Sequence, residues 1–321
     1  MRVRLFGTRG SIPVAGAEFQ RYGGNTTCLR VLSDCVPTGQ ALVVDAGSGY
    51  LPLCKELLGE KIMQVDMLFT HYHIDHTMGL PLAPHTHIRA AVMRVWGPLE
   101  HNHGPAEVFA EIMKSPHFPV SFATVRHLFN CRALREIGTQ VLVIHPHGGF
   151  LLMPVHAFER AERDRKQISF SGMRYSIGEC LVVRMYKTRH PEYTVSYRFE
   201  ERPSGRVFVF LTDHENTDAF PRDMLTHLQG AHLLIQDAQY SNVRYKSGAT
   251  AGFGHGTPEY CVDAAIAGGI VRLGLTHHDP NANDNEVEQR LAEARAHAEQ
   301  KERPDIAHEL FACVDYTTLD V

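Results

Sequence analysis

Thr70-His71-Tyr72-His73-Ile74-Asp75-His76-Thr77-Met78-Gly79-Leu80 follows directly on Val65–Phe69, a mostly apolar run that reads as a buried strand. Three histidines and one aspartate thus fall within six residues, just past a strand end. Imidazole nitrogen suits zinc and other first-row metals, and a carboxylate adds charge and a harder oxygen donor. His71 and His73 project alike from extended chain and so can grip one ion. Asp75 and His76, where the chain turns, can face a second ion beside it. The competing reading is a surface loop of a histidine-rich chain, but an H-x-H-x-D-H arrangement is rare by chance even here.

The rest of the composition narrows the class. Twenty-one of 321 residues are histidine, an unusual share of the commonest metal ligand. Lys and Arg number 32 against 36 Asp and Glu, a net charge of −4, which disfavours bulk contact with a nucleic-acid backbone. At 44% hydrophobic and 21% charged, the chain has an ordinary globular composition and enough length to bury a large core unaided. No stretch approaches the roughly 18 consecutive apolar residues of a membrane span, so no membrane partner is expected. Met1–Phe6 alternates apolar and basic residues into a Gly-rich turn and reads as a first strand rather than a signal peptide. The seven cysteines are scattered, odd in number and free of any C-x-x-C pair, which fits reduced, mostly buried thiols in a cytoplasmic protein.

Short runs rich in Val, Ile and Phe predict strands at Val3–Phe6, Cys28–Leu32, Ala41–Val44, Val65–Phe69, Val92–Trp96, Val141–Ile144, Leu181–Tyr186, Thr194–Phe199, Val207–Leu211, His232–Ile235 and Val271–Leu275. Helical patterns occupy Pro52–Leu58, Pro105–Met113, Pro221–Leu228, Pro258–Ala267 and Asp284–Lys301. Thr257-Pro258-Glu259 has the form of an N-cap, an N1 proline and an acidic first turn, with Gly268 and Gly269 at the far end. Strands mixed with helices, and no Ser/Pro-rich linker, predict one α/β domain over residues 1–321. The charged run Glu159–Lys166 is expected to be a solvated loop or hairpin tip. His85, His87, His101, His103, His117, His145 and His147 are expected to be solvated loop histidines.

The motif from His71 to His76 resembles the signature of the metallo-β-lactamase superfamily. The likeness extends to Leu5-Phe6-Gly7-Thr8-Arg9-Gly10-Ser11-Ile12-Pro13, to Tyr22-Gly23-Gly24-Asn25-Thr26-Thr27 and to Val44-Asp45-Ala46-Gly47-Ser48-Gly49. These are similar to the branch holding tRNase Z and the phosphoribosyl cyclic phosphodiesterases. The likeness runs in order over about residues 1–285, with a variable segment at about 100–185. It implies an αβ/βα sandwich of two mixed sheets with helices outside and metals at one rim.

The resemblance also implies a ligand set. His190, in Thr188-Arg189-His190-Pro191, would complete a first site with His71 and His73. Asp213, in Leu211-Thr212-Asp213, would bridge both ions, and His277, in Leu275-Thr276-His277, would join Asp75 and His76 on the second. Alternation sends His277 and His278 in opposite directions, and the register favours His277, with His278 as the alternative. The implied cofactors are two divalent ions, zinc first, with manganese or iron as alternatives. Asp237, in Leu234-Ile235-Gln236-Asp237-Ala238-Gln239, lies where tRNase Z-like enzymes carry a His-Glu-Ala-Thr loop. His255, in Gly254-His255-Gly256-Thr257, lies where they carry a His-Ser-Thr-type loop. In that branch such a pair protonates the departing oxygen; here the acid is aspartate, one methylene shorter than glutamate. His214 is expected to support a ligand or face solvent, and Asp45 to accept hydrogen bonds from the backbone of the metal loop.

These expectations describe a dinuclear metallo-phosphodiesterase. A hydroxide shared by two ions would attack, with Asp75 orienting it and accepting its proton, while His255 and Asp237 protonate the leaving alkoxide. The expected substrate is a small phosphodiester such as a cyclic nucleotide or cyclic sugar phosphate. A tRNA substrate is disfavoured, because neither the net charge nor residues 100–185 offer a clear basic arm. A lactonase or thioesterase on the same metals is the alternative, since fold does not choose chemistry. A non-catalytic metal-binding scaffold is a third reading, and a homodimer is left open.

Overall fold

The computed structural model describes residues 1–321. Two large mixed sheets face one another. The first runs, in spatial order, Thr318–Asp320, Arg2–Gly7, Cys28–Leu32, Gln40–Val44, Gln64–Leu68, Val92–Pro98 and Phe129–Leu134. The second runs Phe311–Ala312, Leu273–Thr276, Leu233–Asp237, Arg206–Leu211, Val195–Glu201, Leu181–Lys187, Gln140–His145 and Gly149–Pro154. A hairpin of Ile168–Phe170 and Met173–Tyr175 stands apart.

Side-chain alternation builds three layers of core from these strands. Leu42, Val44 and Trp96 of the first sheet meet Leu142, Val183, Tyr197, Phe210 and Ile235 of the second in the buried middle. The neighbouring residues Ala41, Val43, Val65 and Met67 face outward beneath the helices Tyr50–Gly59 and Pro105–Ile112. On the other side, Val209, Leu234 and Leu273 are covered by Arg222–Leu228, Pro258–Gly268, Asp284–Gln300 and Pro304–Glu309. Strands covered on both faces are apolar throughout, which is why they read as continuous hydrophobic runs. This is the predicted α/β sandwich.

Parallel pairing positions the site. Gln40–Val44, Gln64–Leu68, Val92–Pro98 and Phe129–Leu134 run parallel, as do Arg206–Leu211, Leu233–Asp237 and Leu273–Thr276. Crevices beyond the carboxyl ends of such strands are where open α/β sheets place their ligands. Two cross-sheet bonds clamp the rim: Val195 N–H donates to Thr70 O at 2.9 Å, and the Tyr197 hydroxyl to Phe69 O at 2.6 Å.

The structure corrects several expectations in residues 100–185. Phe129–Leu134 and Gly149–Pro154 are strands, and they form edges of the first and second sheets. Glu159–Lys166 is not a loop or hairpin tip: five of its eight residues, Glu159–Arg163, belong to the helix Val155–Arg163, which buries Phe158. The charged run taken alone contains only Ala161 of the helix's apolar face; Val155 and Phe158, which complete it, lie upstream. His85 is fully buried, with Cys54 Sγ 2.9 Å from Nδ1 and Ile62 O 2.9 Å from Nε2. His145 is buried as well, accepting at Nδ1 from the N–H groups of His147 and Gly148 and stacking on Tyr175. His87, His101, His103, His117 and His147 are exposed as expected. All seven cysteines are unpaired and six are buried. No helix is long and apolar enough to cross a membrane.

Candidate metal centre

Three side chains reach the rim because their strands end in an uncommon way. Asp45, Asp213 and His277 each follow a strand and hold φ of 57°, 50° and 59°. A left-handed conformation at a residue other than glycine costs roughly 1–2 kcal/mol, and such conformations gather at functional sites. Each folds the chain sharply back, so the side chain points across the rim instead of continuing the strand's alternation. His277 therefore turns into the cluster, while His278 points away, with Nε2 2.9 Å from Cys313 O. Asp75 and His76 lie on the single helical turn Ile74–Thr77 that follows the motif's extended part.

Two groups of ligand atoms result: His71, His73, His190 and Asp213 in one, Asp75, His76 and His277 in the other. The spacing of the second group tests its fit to a metal. A tetrahedral ion with bonds of 2.0–2.1 Å separates its ligand atoms by about 3.3–3.4 Å. His76 Nε2 lies 3.4 Å from Asp75 Oδ2, 3.4 Å from His277 Nε2 and 3.4 Å from Asp213 Oδ1. His277 Nε2 lies 3.2 Å from Asp75 Oδ2 and 3.5 Å from Asp213 Oδ1. Five edges of a tetrahedron are thus at the required length. In the first group, His190 Nε2 and His73 Nδ1 are 3.4 Å apart, and His71 Nε2 is 3.6 Å from the other Asp213 oxygen, Oδ2. The two oxygens of Asp213 face different groups, as a bridging carboxylate would. His71 Nε2 is buried with no hydrogen-bond partner, an expensive state for a polar atom unless a cation takes its lone pair. Burial keeps the His71 imidazole well below its ordinary pKa and lowers that of His190, so both offer neutral nitrogen.

A surrounding shell aims these ligands. Asp45 is completely buried and accepts from Thr70 N–H and Thr70 Oγ1 at 2.8 Å each, as expected. It also meets His76 Nδ1 at 2.8 Å, which leaves Nε2 for the cluster. Three supporting groups were not read from the sequence. Gln239 Oε1 is 2.7 Å from His277 Nδ1, Gly254 O is 3.0 Å from His190 Nδ1, and Ser11 N–H donates to Asp75 Oδ2 at 2.6 Å. Gly10 is required there, because a Cβ on it would lie 2.3 Å from His277 Nδ1. His214 is buried rather than solvated: its Nδ1 accepts from Arg189 N–H, and burial lowers it to about 3, so it pins the turn carrying His190 as a neutral ring.

His255 and Asp237 meet beside the cluster, with His255 Nδ1 2.9 Å from Asp237 Oδ2. His255 also lies within ligand range of Asp213 and His277, and its ring stacks on that of His277. Burial would lower this imidazole, but Asp237, then Asp213 and Asp75, outweigh it and raise it to about 9. Glu192, which no sequence pattern singled out, closes the outer side: its Oε2 is 2.8 Å from His73 Nε2 and 3.6 Å from His190 Nε2.

Residues 29–278 match the family described as the β-lactamase superfamily domain. The chain belongs to the metallo-β-lactamase superfamily. Its fold is shared along the whole length by the metallo-β-lactamase fold protein YhfI from Bacillus subtilis, at 15% identity and a TM-score of 0.61, covering 99% of this chain and 98% of that one. Unliganded yeast PDE1 aligns over 100% and 99% of the two chains, at 13% identity and a TM-score of 0.64. The short form of human tRNase Z aligns over 100% and 99%, at 17% identity and a TM-score of 0.57. No curated protein sequence matches the chain. For this metallo-β-lactamase fold, the His/Asp cluster and family membership support a metal-dependent hydrolase.

Proposed function

We propose that the chain hydrolyses small phosphodiesters with two divalent ions, zinc first. His71, His73 and His190 would hold one ion, Asp75, His76 and His277 the other, and Asp213 both. Bound there, the ions supply Lewis acidity toward phosphate oxygens and hydroxide at neutral pH. The observation that favours phosphodiesters over lactones or thioesters is the His255–Asp237 pair at the edge of the cluster. An alkoxide leaving group needs a proton, and the Asp237 carboxylate on Nδ1 favours the protonated imidazole that gives one. With Nδ1 engaged by Asp237, Nε2 is the atom that faces the leaving oxygen. Asp75, fixed by Ser11 N–H, orients the attacking water. The fold is shared by a diphosphatase of the PhnP family and by yeast PDE1.

Leaving-group dependence tests the acid. His255→Ala should lower turnover of a cyclic nucleotide, which expels a ribose alkoxide, by about 10²–10⁴-fold. It should lower turnover of bis(p-nitrophenyl) phosphate far less, because nitrophenolate departs without help. Asp237→Asn should show the same selectivity more weakly. Equal losses on both substrates at wild-type metal content would remove the acid role. Faster turnover of an acyl-homoserine lactone than of any diester would replace the phosphodiester reading with a lactonase.

A further inference from the structure

The cavity over the ligand cluster measures about 480 Å³, within the range of small-molecule sites, and its walls differ sharply in character from its floor. Its lining includes no lysine or arginine. Ile74 and Phe253, which are 68% and 57% exposed, stand in the wall with Pro191 and Tyr240. Large apolar side chains left in water around a polar floor mark a surface that something covers. The charged side chain among them is Glu192, a half-exposed carboxylate whose Oε2 lies 2.8 Å from His73 Nε2. Neither nearby arginine lines the cavity: Arg244 lies over the Tyr240 ring and pairs with Asp279 at 2.7 Å, and Arg189, which donates to Asn216 O, stands outside the lining.

Resting on the phosphodiesterase reading, we propose that the site selects diesters carrying a single negative charge and an aromatic or apolar ester arm. The same features would reject diesters bearing a further terminal phosphate. The ions proposed for the floor answer the one charge of the reacting diester. A second phosphate would lie against Glu192 with no guanidinium or ammonium to meet it, and juxtaposed like charges oppose binding. A planar arm such as a nucleobase finds the Phe253 and Tyr240 rings and the Ile74 side chain instead. Glu192 and Phe253 are thereby the specificity-determining residues.

Adenosine 2′,3′-cyclic phosphate, its 5′-phosphorylated form and a ribose 2′,3′-cyclic phosphate lacking the base make the test. With wild-type enzyme, the 5′-phosphate should lower kcat/KM at least tenfold, mostly through KM. Glu192→Gln, at metal content equal to wild type, should recover at least threefold of that loss. Phe253→Ala should raise KM for the base-bearing substrate by a several-fold larger factor than for the base-free one. Equal or faster turnover of the 5′-phosphorylated substrate, or equal effects of Phe253→Ala on both arms, would overturn the proposal. Should Glu192→Gln lose metal, the wild-type comparison and Phe253→Ala carry the test. Failure of the underlying reading looks different: no diester turns over at all while a lactone does.

Discussion

Asp45 is fully buried, accepts two hydrogen bonds from Thr70 and meets His76 Nδ1 at 2.8 Å. It therefore sets both the position of the metal loop and the tautomer of one ligand. Carboxylates that orient a ligating histidine are worth about 10–100-fold in metal affinity when lost. Asp45→Asn should weaken the site built on Asp75, His76 and His277 by that factor in chelator competition, with the His71 site far less affected. Equal affinities at both sites would show that His76 is oriented by packing alone. At this scale the sequence was most informative where ligands crowd together, as from His71 to His76. It was least informative for Gln239, Gly254 and Glu192, since an amide, a backbone carbonyl and a surface-spaced glutamate carry no local pattern.

Among the elements, the helix Val155–Arg163 shows how a narrow apolar face can set a conformation. Val155 and Ala161 flank Phe158, which sinks into the cluster of Val141, Val143 and Val182 of the second sheet, and the charged residues lie on the other side. Truncating such an anchor leaves a cavity, so Phe158→Ala should cost about 3–5 kcal/mol in denaturant unfolding. A solvated loop would give less than about 0.5 kcal/mol. Beside the ligand cluster, Thr257 caps Pro258–Gly268 by accepting from Tyr260 N–H, and it follows the His255 turn. That helix was legible because its cap, N1 proline and terminal glycines all act locally. The edge strand Phe129–Leu134 was not, because polar Asn130 and Arg132 interrupt its apolar residues; Phe150–Met153 is apolar throughout, and a run of four does not by itself separate a strand from a buried helical segment.

For the molecule as a whole, stability depends on groups that tie distant segments. The Tyr197 hydroxyl of the second sheet donates to Phe69 O of the first, one residue before the metal loop. Tyr197→Phe should cost about 1 kcal/mol or somewhat more by thermal or chemical unfolding, because it strands a buried carbonyl. An unchanged midpoint would show that Val195 N–H alone clamps the rim. Asp315 joins three segments, accepting from Thr8 Oγ1 at 3.0 Å and Asn25 N–H at 2.9 Å while its own N–H donates to Tyr22 O. Burial raises its carboxyl to about 6, those donors opposing incompletely. A pKa above the unfolded value means the folded state binds the proton more tightly. The stabilisation is thus complete below about pH 4 and is lost as pH rises through 6. The stability difference between wild type and Asp315→Asn should therefore shift by on the order of 2–3 kcal/mol from pH 4 to 7. A difference that stays flat with pH would show that Asp315 titrates as it does in the unfolded chain.

What the sequence determined by itself is local: the central strands, the main helices, and a candidate metal loop whose three histidines and one aspartate lie within six residues. Periodicity, capping and side-chain chemistry act over a few residues, so they are readable along one chain. His190, Asp213 and His277 are isolated polar residues after strands, suggestive only through family likeness. The tertiary structure decided that they converge: His76 and His277 are 201 residues apart in the chain, yet their Nε2 atoms lie 3.4 Å apart. That proximity depends on two sheets stacking with their parallel strands ending at one rim, and on three strand ends turning left-handed there. Aspartate and histidine enter the left-handed region more readily than most residues, but that preference is too weak to fix it at these three positions, and packing from segments far away in sequence holds it there.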